Sequence, residues 1–393
     1  MTDIYRLSVP SEWPRVPDTW SHSSLSAIDA CPRLWQYRLA TWGQTRGIPE
    51  RTTLSAAMGS LMHEALERLF KAFGALGSPP LGTEAGLVAF QRAKLDGFFE
   101  ARIRSLREQN LAHPFGPLEE REVLDARALK NRALATFKKS YRPSAGATVN
   151  SVAPPYRGDA TPKANNRVGG ADQLRRLRAQ GGLSEVALQI PELNFGGVID
   201  RVQVGKDGGT EILEFKTGTS RASHTRQVHR YGVLWWVATG DVPARLSLVY
   251  EDTQQSYDVT VGKLAEWKHT LAEDIGAAIE TAAGRPAVAR PDPERCRYCP
   301  ARGRCDEGWA AVREASSARG DLEVDIEGTP TDHAFTGRRA DGKKVQVVYE
   351  SGLKVRFPTE GARRRLRVVG ASTSETSNGT VARVAAWSEV FWL

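Results

Sequence analysis

The sequence predicts an α/β protein in which helices flank a central sheet, followed by a small β-rich domain. Three observations predict it. Apolar residues recur at helical spacing between about residues 21 and 140, and the period shortens to two between about 183 and 215. Helix and strand patterns then alternate until the texture turns β-rich after Arg319. Composition suits a soluble globular chain of two or three domains: 393 residues, 40% hydrophobic and 25% charged.

In chain order, residues 1–20 are rich in proline and tryptophan and read as an extended arm. A helix begins near Ser23 and Ser24, whose hydroxyls can cap it, and runs past Cys31-Pro32 through Trp35 and Tyr37. Leu54, Met58, Leu61, Ala65, Leu69 and Phe73 lie on one face of a helix over 53–73. Further helices fit 84–109 and 118–140. Residues 143–170 are heavy in proline, glycine, alanine and asparagine and read as a flexible insertion. Strands follow at 183–190, 197–204 and 210–215, the last two joined by the turn Lys206-Asp-Gly-Gly209. A helix over 226–239, strands over 245–250 and 255–261, and a helix over 263–283 complete the first domain. The domain boundaries expected are 21–318 and 321–393. In the second, strands fit 345–349, 354–357, 366–369 and 381–387, suggesting a small, OB-like barrel.

The most informative segment is Gly197-Val-Ile-Asp200 with Glu211-Ile-Leu-Glu214-Phe-Lys216. Glu214 and Lys216, two apart in a strand, project from one face. A turn centred near Asp207–Gly208 brings Asp200 opposite Phe215, beside Glu214. Two carboxylates and an ammonium at one end of a hairpin suit Mg²⁺ or Mn²⁺ and a polarised water. Taken alone, this spacing is more often a solvated hairpin carrying a surface ion pair. Gln227 and Tyr231 share a helical face and can offer an amide and a phenol, or simply cap the sheet edge. Glu185 is either a further acid of the site or an ordinary strand-edge charge.

Together these residues resemble the PD-(D/E)xK nuclease superfamily, specifically the RecB-like branch that includes the nuclease domains of RecB and AddB and CRISPR-associated RecB-like exonucleases. The resemblance covers roughly residues 20–310. Gly59-Ser-Leu-Met-His63-Glu-Ala-Leu-Glu67 is similar to the family's Gly-x-x-x-His-x-x-Leu-Glu helix, Asp200 to its motif aspartate, Glu214-Phe-Lys216 to Glu-x-Lys, and Gln227-Val-His-Arg-Tyr231 to Gln-x-x-x-Tyr. It implies a restriction-endonuclease-like sheet and metal-dependent hydrolysis of DNA, with exonuclease action on ends or single strands. The site it implies contains His63, Asp200, Glu214 and Phe215 around Mg²⁺ or Mn²⁺, with Lys216, Gln227 and Tyr231 beside them.

Cys296-Arg-Tyr-Cys299-Pro-Ala-Arg-Gly-Arg-Cys305 and the distant Cys31 are four thiols in a chain expected to be cytoplasmic, where metal ligation is favoured over disulfides. Four thiolates suit zinc or a [4Fe–4S] cluster, and their spacing mildly favours a cluster. The resemblance implies the cluster, because Ser23 to Tyr37 and the downstream triplet are similar to the two halves of the AddB-type iron staple. Arg295, Arg297, Arg302 and Arg304 could meet a DNA backbone or be solvated surface. In the second domain Arg363 to Arg365 and Arg367 could meet phosphates, and Tyr349, Phe357 and Trp387 could stack on bases, but an interaction or purely structural module fits equally well.

The net charge of +8 suits a polyanionic partner. No apolar run reaches membrane length and no phosphate-binding loop is present, so a helicase motor would have to be a partner. Recombination, repair and defence all fit such a protein. So do two rivals: a catalytically idle DNA-end-binding scaffold, and a zinc-stapled RNA-processing enzyme.

Overall fold

The computed structural model describes residues 2–3, 5–48, 53–111, 125–143, 169–314, 320–331, 333–354, 365–386 and 388–393. The expected insertion over 143–170 lies almost wholly outside them. Two short strands open the chain, β1 (Thr2–Asp3) and β2 (Tyr5–Arg6). The first helix is capped by Ser21, not by the serines after it, and is broken where Cys31 adopts an extended backbone before Pro32. Proline disfavours helical geometry in its predecessor and has no N–H to give. Two helices therefore stand where one is expected, α1 (His22–Ala30) and α2 (Pro32–Leu39), followed by the small hairpin β3 (Thr41–Trp42) and β4 (Thr45–Arg46).

The long amphipathic helix is α3 (Leu54–Gly74). The expected helix over 84–109 is likewise two, α4 (Glu84–Ala93) and α5 (Phe98–Leu111), because Lys94 and Gly97 turn left-handed between them. Helices α6 (Ala126–Ser140) and α7 (Gly170–Gln180) lead into the central strands β5 (Gly182–Ile190), β6 (Phe195–Val204) and β7 (Thr210–Phe215). Then come α8 (Ala222–Thr239), β8 (Arg245–Val249), β9 (Gln254–Asp258) and α9 (Val261–Ala283).

These five strands form one mixed sheet in sequence order. Only β7 and β8 are parallel, and α8 crosses between them. All six residues of β7 are buried, so the strand needs cover on both faces. Alternation divides that cover. Ile212 packs with α1, α7, α8 and α9, whereas Leu213 and Phe215 pack with α3 to α6. The arm is drawn in as well: Trp20 is fully buried, stacks on Trp35 and exchanges main-chain bonds with Asn194 and Gly196.

Beyond α9 lie α10 (Pro293–Arg297), α11 (Asp306–Glu314) and the β-rich segment. Its strands are β10 (Leu322–Glu327), β11 (Ala334–Arg338), β12 (Lys344–Tyr349), β13 (Leu353–Lys354), β14 (Arg365–Val369), β15 (Ser372–Thr376), β16 (Gly379–Val384) and β17 (Glu389–Trp392). Seven of them join β2 in an eight-stranded sheet, more strands than the five of an OB barrel. The N-terminal arm thus supplies a strand of the C-terminal sheet.

Residue 36 ties α2 to the far end of α9. Gln36 is fully buried, donates to the carbonyls of Ala282 and Gly284, and accepts from the Ala287 N–H. Gln36→Ala leaves two buried main-chain groups, the Ala282 carbonyl and the Ala287 N–H, without their partner, and should lower the unfolding free energy by about 1–3 kcal/mol in chemical denaturation. A loss under about 0.5 kcal/mol would show that the tie carries no weight.

Candidate active site

The hairpin register differs by one residue from the expected one. Arg201 pairs with Leu213 and Val202 with Ile212, across a five-residue loop over 205–209. Asp200 is therefore level with Glu214, not with Phe215. The difference matters, since directly opposed residues share a face and a one-residue slip would send the two carboxylates to opposite sides.

The β6–β7 ladder ends at Arg201, and beyond it the strands fork. Asp200 fills the fork: its Oδ2 accepts the Phe215 N–H at 2.9 Å, in place of a ladder bond. On the other side β5 pairs with β6 at Ser184 and Val186 but not at Glu185, whose φ of +51° is left-handed. A non-glycine residue there is strained, and such strain clusters at functional sites. Along β6, Gly197 faces α8 while Arg201 reaches Phe70 of α3, so the alternation slips at this bend.

Glu214 is buried at 2% exposure. Its Oε1 accepts from Lys216 Nζ at 2.8 Å and from Gln227 Nε2 at 2.7 Å. Lys216 also donates to Gln227 Oε1 at 2.7 Å, and Gln227 to the Tyr231 hydroxyl at 3.1 Å. Tyr231 comes this close because Gly197 has no side chain; a Cβ there would lie 3.1 Å from the ring. From α3, His63 Nδ1 lies 3.3 Å from Asp200 Oδ1. Burial opposes the imidazolium, but the hydrogen bond and charge of Asp200 raise His63 to about 9. Burial, then Asp200, pushes the Glu214 carboxyl up to about 8. Burial, then Asp200 and Glu67, lifts Glu185 to about 7. Glu67, one turn after His63, is thus a further acid at the edge of the site, and its helical spacing from His63 is the signal for it. Perturbed acids gathered in one place mark a site.

Among the described residues, no group of three or more His, Cys, Asp or Glu side chains is disposed to hold a metal ion as it stands. The donors nevertheless suit a hard divalent cation. Glu214 Oε2 is buried without a hydrogen-bond partner, beside Asp200 and a histidine. Phe215 packs its ring on Phe70 and gives its N–H to Asp200, so only its main-chain oxygen could serve as a ligand.

The four cysteines line one small cavity with Leu34, Ala289 and Gly308. Arg33 binds the Ala287 carbonyl and forks onto Glu307, holding the Cys31 segment against the downstream lobe. Main-chain N–H groups of Asp292 and Gly308 point at Cys296 and Cys305 Sγ, both at 3.4 Å. Burial pushes the free thiols of Cys299 and Cys305 up to about 12 and about 11.

Two expectations fail here. Arg302 and Arg304 are not free to meet a DNA backbone: Arg302 pairs with Asp321, and Arg304 is buried beside Glu389 between Trp42 and Phe391. Nor are Arg367 and Tyr349 available for phosphates and bases, because both are buried. Arg363, Arg364, Phe357 and Trp387 lie outside the described residues.

The chain matches the PD-(D/E)XK nuclease superfamily over residues 19–306 and belongs to it. Nucleases of this superfamily hydrolyse phosphodiester bonds and generally use divalent metals such as Mg²⁺ or Mn²⁺. One solved structure, described as the crystal structure of SSO0001, is 17% identical over 35% of this chain and 66% of its own, just under two thirds of its length. Its TM-score of 0.20 gives it no bearing on the fold. No curated protein matches the chain. No helix among the described residues is long and apolar enough to cross a membrane.

His63 and Glu214 both hold their protons more tightly than the free groups do, because Asp200 outweighs burial at the first and burial raises the second. A cation entering the site must displace them. Calorimetric titration of Mn²⁺ in two buffers of different ionisation enthalpy should therefore show net proton release at pH 7, diminishing towards pH 9. Heats independent of the buffer would count against metal binding at these two groups.

Proposed function

We propose that the protein is a metal-dependent deoxyribonuclease, an exonuclease acting on DNA ends or single strands in recombination, repair or defence. The observation that carries this reading is the buried Glu214, held by Lys216 and Gln227 on one oxygen and unpartnered on the other, with Asp200 and His63 alongside. His63, Asp200, Glu214 and the Phe215 carbonyl would hold Mg²⁺ or Mn²⁺, which when bound polarises the scissile phosphate and acidifies a water. Lys216, fixed by two acceptors, orients that water and offsets negative charge building on the phosphate. Gln227 holds Lys216 in place and passes a hydrogen bond to Tyr231, while the strained Glu185 adds negative charge at the edge of the site.

We further propose that Cys31, Cys296, Cys299 and Cys305 hold a [4Fe–4S] cluster of structural function. Four thiols around one apolar cavity and two N–H donors to sulfur support that reading. The chain carries no motor motif, so duplex unwinding would come from a partner helicase.

Lys216→Ala should lower cleavage of end-labelled single-stranded DNA by roughly 10²–10³-fold, with binding in EDTA little changed. Asp200→Ala should do the same. Wild-type cleavage by either variant, or an RNA-only substrate range, defeats the deoxyribonuclease reading. Protein purified without oxygen should contain about four irons per chain, and Cys31→Ser should lose them and melt earlier. Stoichiometric zinc with little iron rejects the cluster.

A further inference from the structure

On the α3 side of the sheet, one strand position past Asp200, lies a cation with no counter-charge. Arg201 is 2% exposed, yet among the described residues no carboxylate pairs with it. Its Nη1 donates to Ser184 Oγ at 3.2 Å, its guanidinium lies 4.3 Å from the Phe70 ring centroid, and its Nε has no partner. Gly182 leaves room for it, since a Cβ there would stand 2.0 Å from Nη2.

The other deeply buried arginines among the described residues are handled differently. Arg230 pairs with Asp274, Arg304 with Glu389, and Arg367 with Asp306 and Glu323. An unpaired buried charge costs several kcal/mol, and a ring face with one hydroxyl replaces little of its hydration. Arg201 lines a cavity of about 260 Å³ whose walls also include Lys71, Arg176, Ser184 and Glu185. Lys71 is bound to Glu67, so the net demand of the cavity is for an anion. Through Glu185 its wall reaches the acids of the candidate active site.

We propose that this cavity is a phosphate subsite, in which Arg201 receives a phosphate group of the nucleic-acid strand presented to the neighbouring carboxylates. The proposal rests on the nuclease reading for its ligand. A guanidinium fork matches the oxygens of a phosphate, and a phosphate supplies the anion that this arginine lacks. The subsite would fix the strand's register on the protein without reading its bases. A terminal phosphate and an internal phosphodiester offer the same chemistry, and the end groups of the probe separate them.

The test compares wild type with Arg201→Met, which keeps an unbranched apolar stem, is shorter, and removes the charge. Binding of 3′-fluorescein single-stranded DNA is measured by anisotropy in EDTA, with a 5′-phosphate or a 5′-hydroxyl end. Arg201→Met should weaken binding about tenfold or more and reduce the slope of log K against log salt by about one. A loss confined to 5′-phosphorylated DNA assigns a terminal phosphate, and an equal loss with both ends assigns a phosphodiester.

Thermal melting gives an independent readout. An arginine kept for structure would lower the melting temperature when replaced, whereas one kept for a ligand should leave it equal or higher. Inorganic phosphate at matched ionic strength should raise the melting temperature of wild type. That measurement needs no variant and stands even if Arg201→Met fails to fold. DNA affinity and salt slope unchanged in Arg201→Met overturn the subsite and leave the nuclease reading intact. No phosphate effect on wild type also overturns it. Wild-type protein that neither binds nor cuts DNA overturns both.

Discussion

The nuclease domain depends on keeping one carboxylate out of water. Glu214 sits on a strand with every residue buried, and burial is the largest influence on its carboxyl, opposing the charged form. Lys216 and Gln227 offset that burial on one oxygen only. Two helical layers follow from it, because β7 can be central only if both faces are covered. The placement of α8 follows too, since Gln227 must reach Glu214 across 2.7 Å and Gly197 must admit Tyr231 behind it. A site built on the sheet and its two flanking helices is more rigid than one built on loops.

Much of this was legible in the sequence. The strands around Asp200 and Glu214 stand out because each has an apolar pair at its middle, Val198-Ile199 and Ile212-Leu213, and α3 and α8 are read from helical spacing. The pairing of Glu214, Lys216 and Gln227 follows from residues two apart in a strand and one residue on the crossing helix. The register was not legible, since it depends on a five-residue loop where Asp207 and Gly208 suggest a tighter turn. The bend at Glu185 is not legible either, because a left-handed glutamate has no signature in the chain. The break at Lys94 is not legible because each side of it keeps a helical period, whereas Pro32 does mark the break at Cys31.

Arginine illustrates a further limit. A sequence rich in arginine reads as a phosphate-binding surface, but Arg302, Arg304 and Arg367 are interior struts. Arg302 meets Asp321, Arg304 reaches the Leu7 carbonyl, and Arg367 donates to the Gly303 carbonyl while lying over Trp309. Together they fasten the cysteine-bearing lobe to the C-terminal sheet, which already contains a strand of the N-terminal arm. The charge of these residues joins parts of one chain and is not available to a partner.

That arrangement changes what the cysteines have to do. If Cys31 were the sole link between α1–α2 and the lobe, a cluster would bear the whole entropy of closing a very long loop. It is not the sole link. Gln36 holds the end of α9, Arg33 holds Ala287 and Glu307, and Arg295 reaches the Ala30 carbonyl. These polar ties close most of the loop by themselves, so a cluster would act locally, setting the lobe between α2, α11 and the C-terminal sheet. The arginine contacts seat the C-terminal sheet on that lobe, while Asp200 is held at the fork by the Phe215 N–H and by His63 of α3. The fold thus separates two kinds of order: the candidate site is fixed by the sheet, and the lobe beside the C-terminal sheet is fixed by buried arginines and their partners.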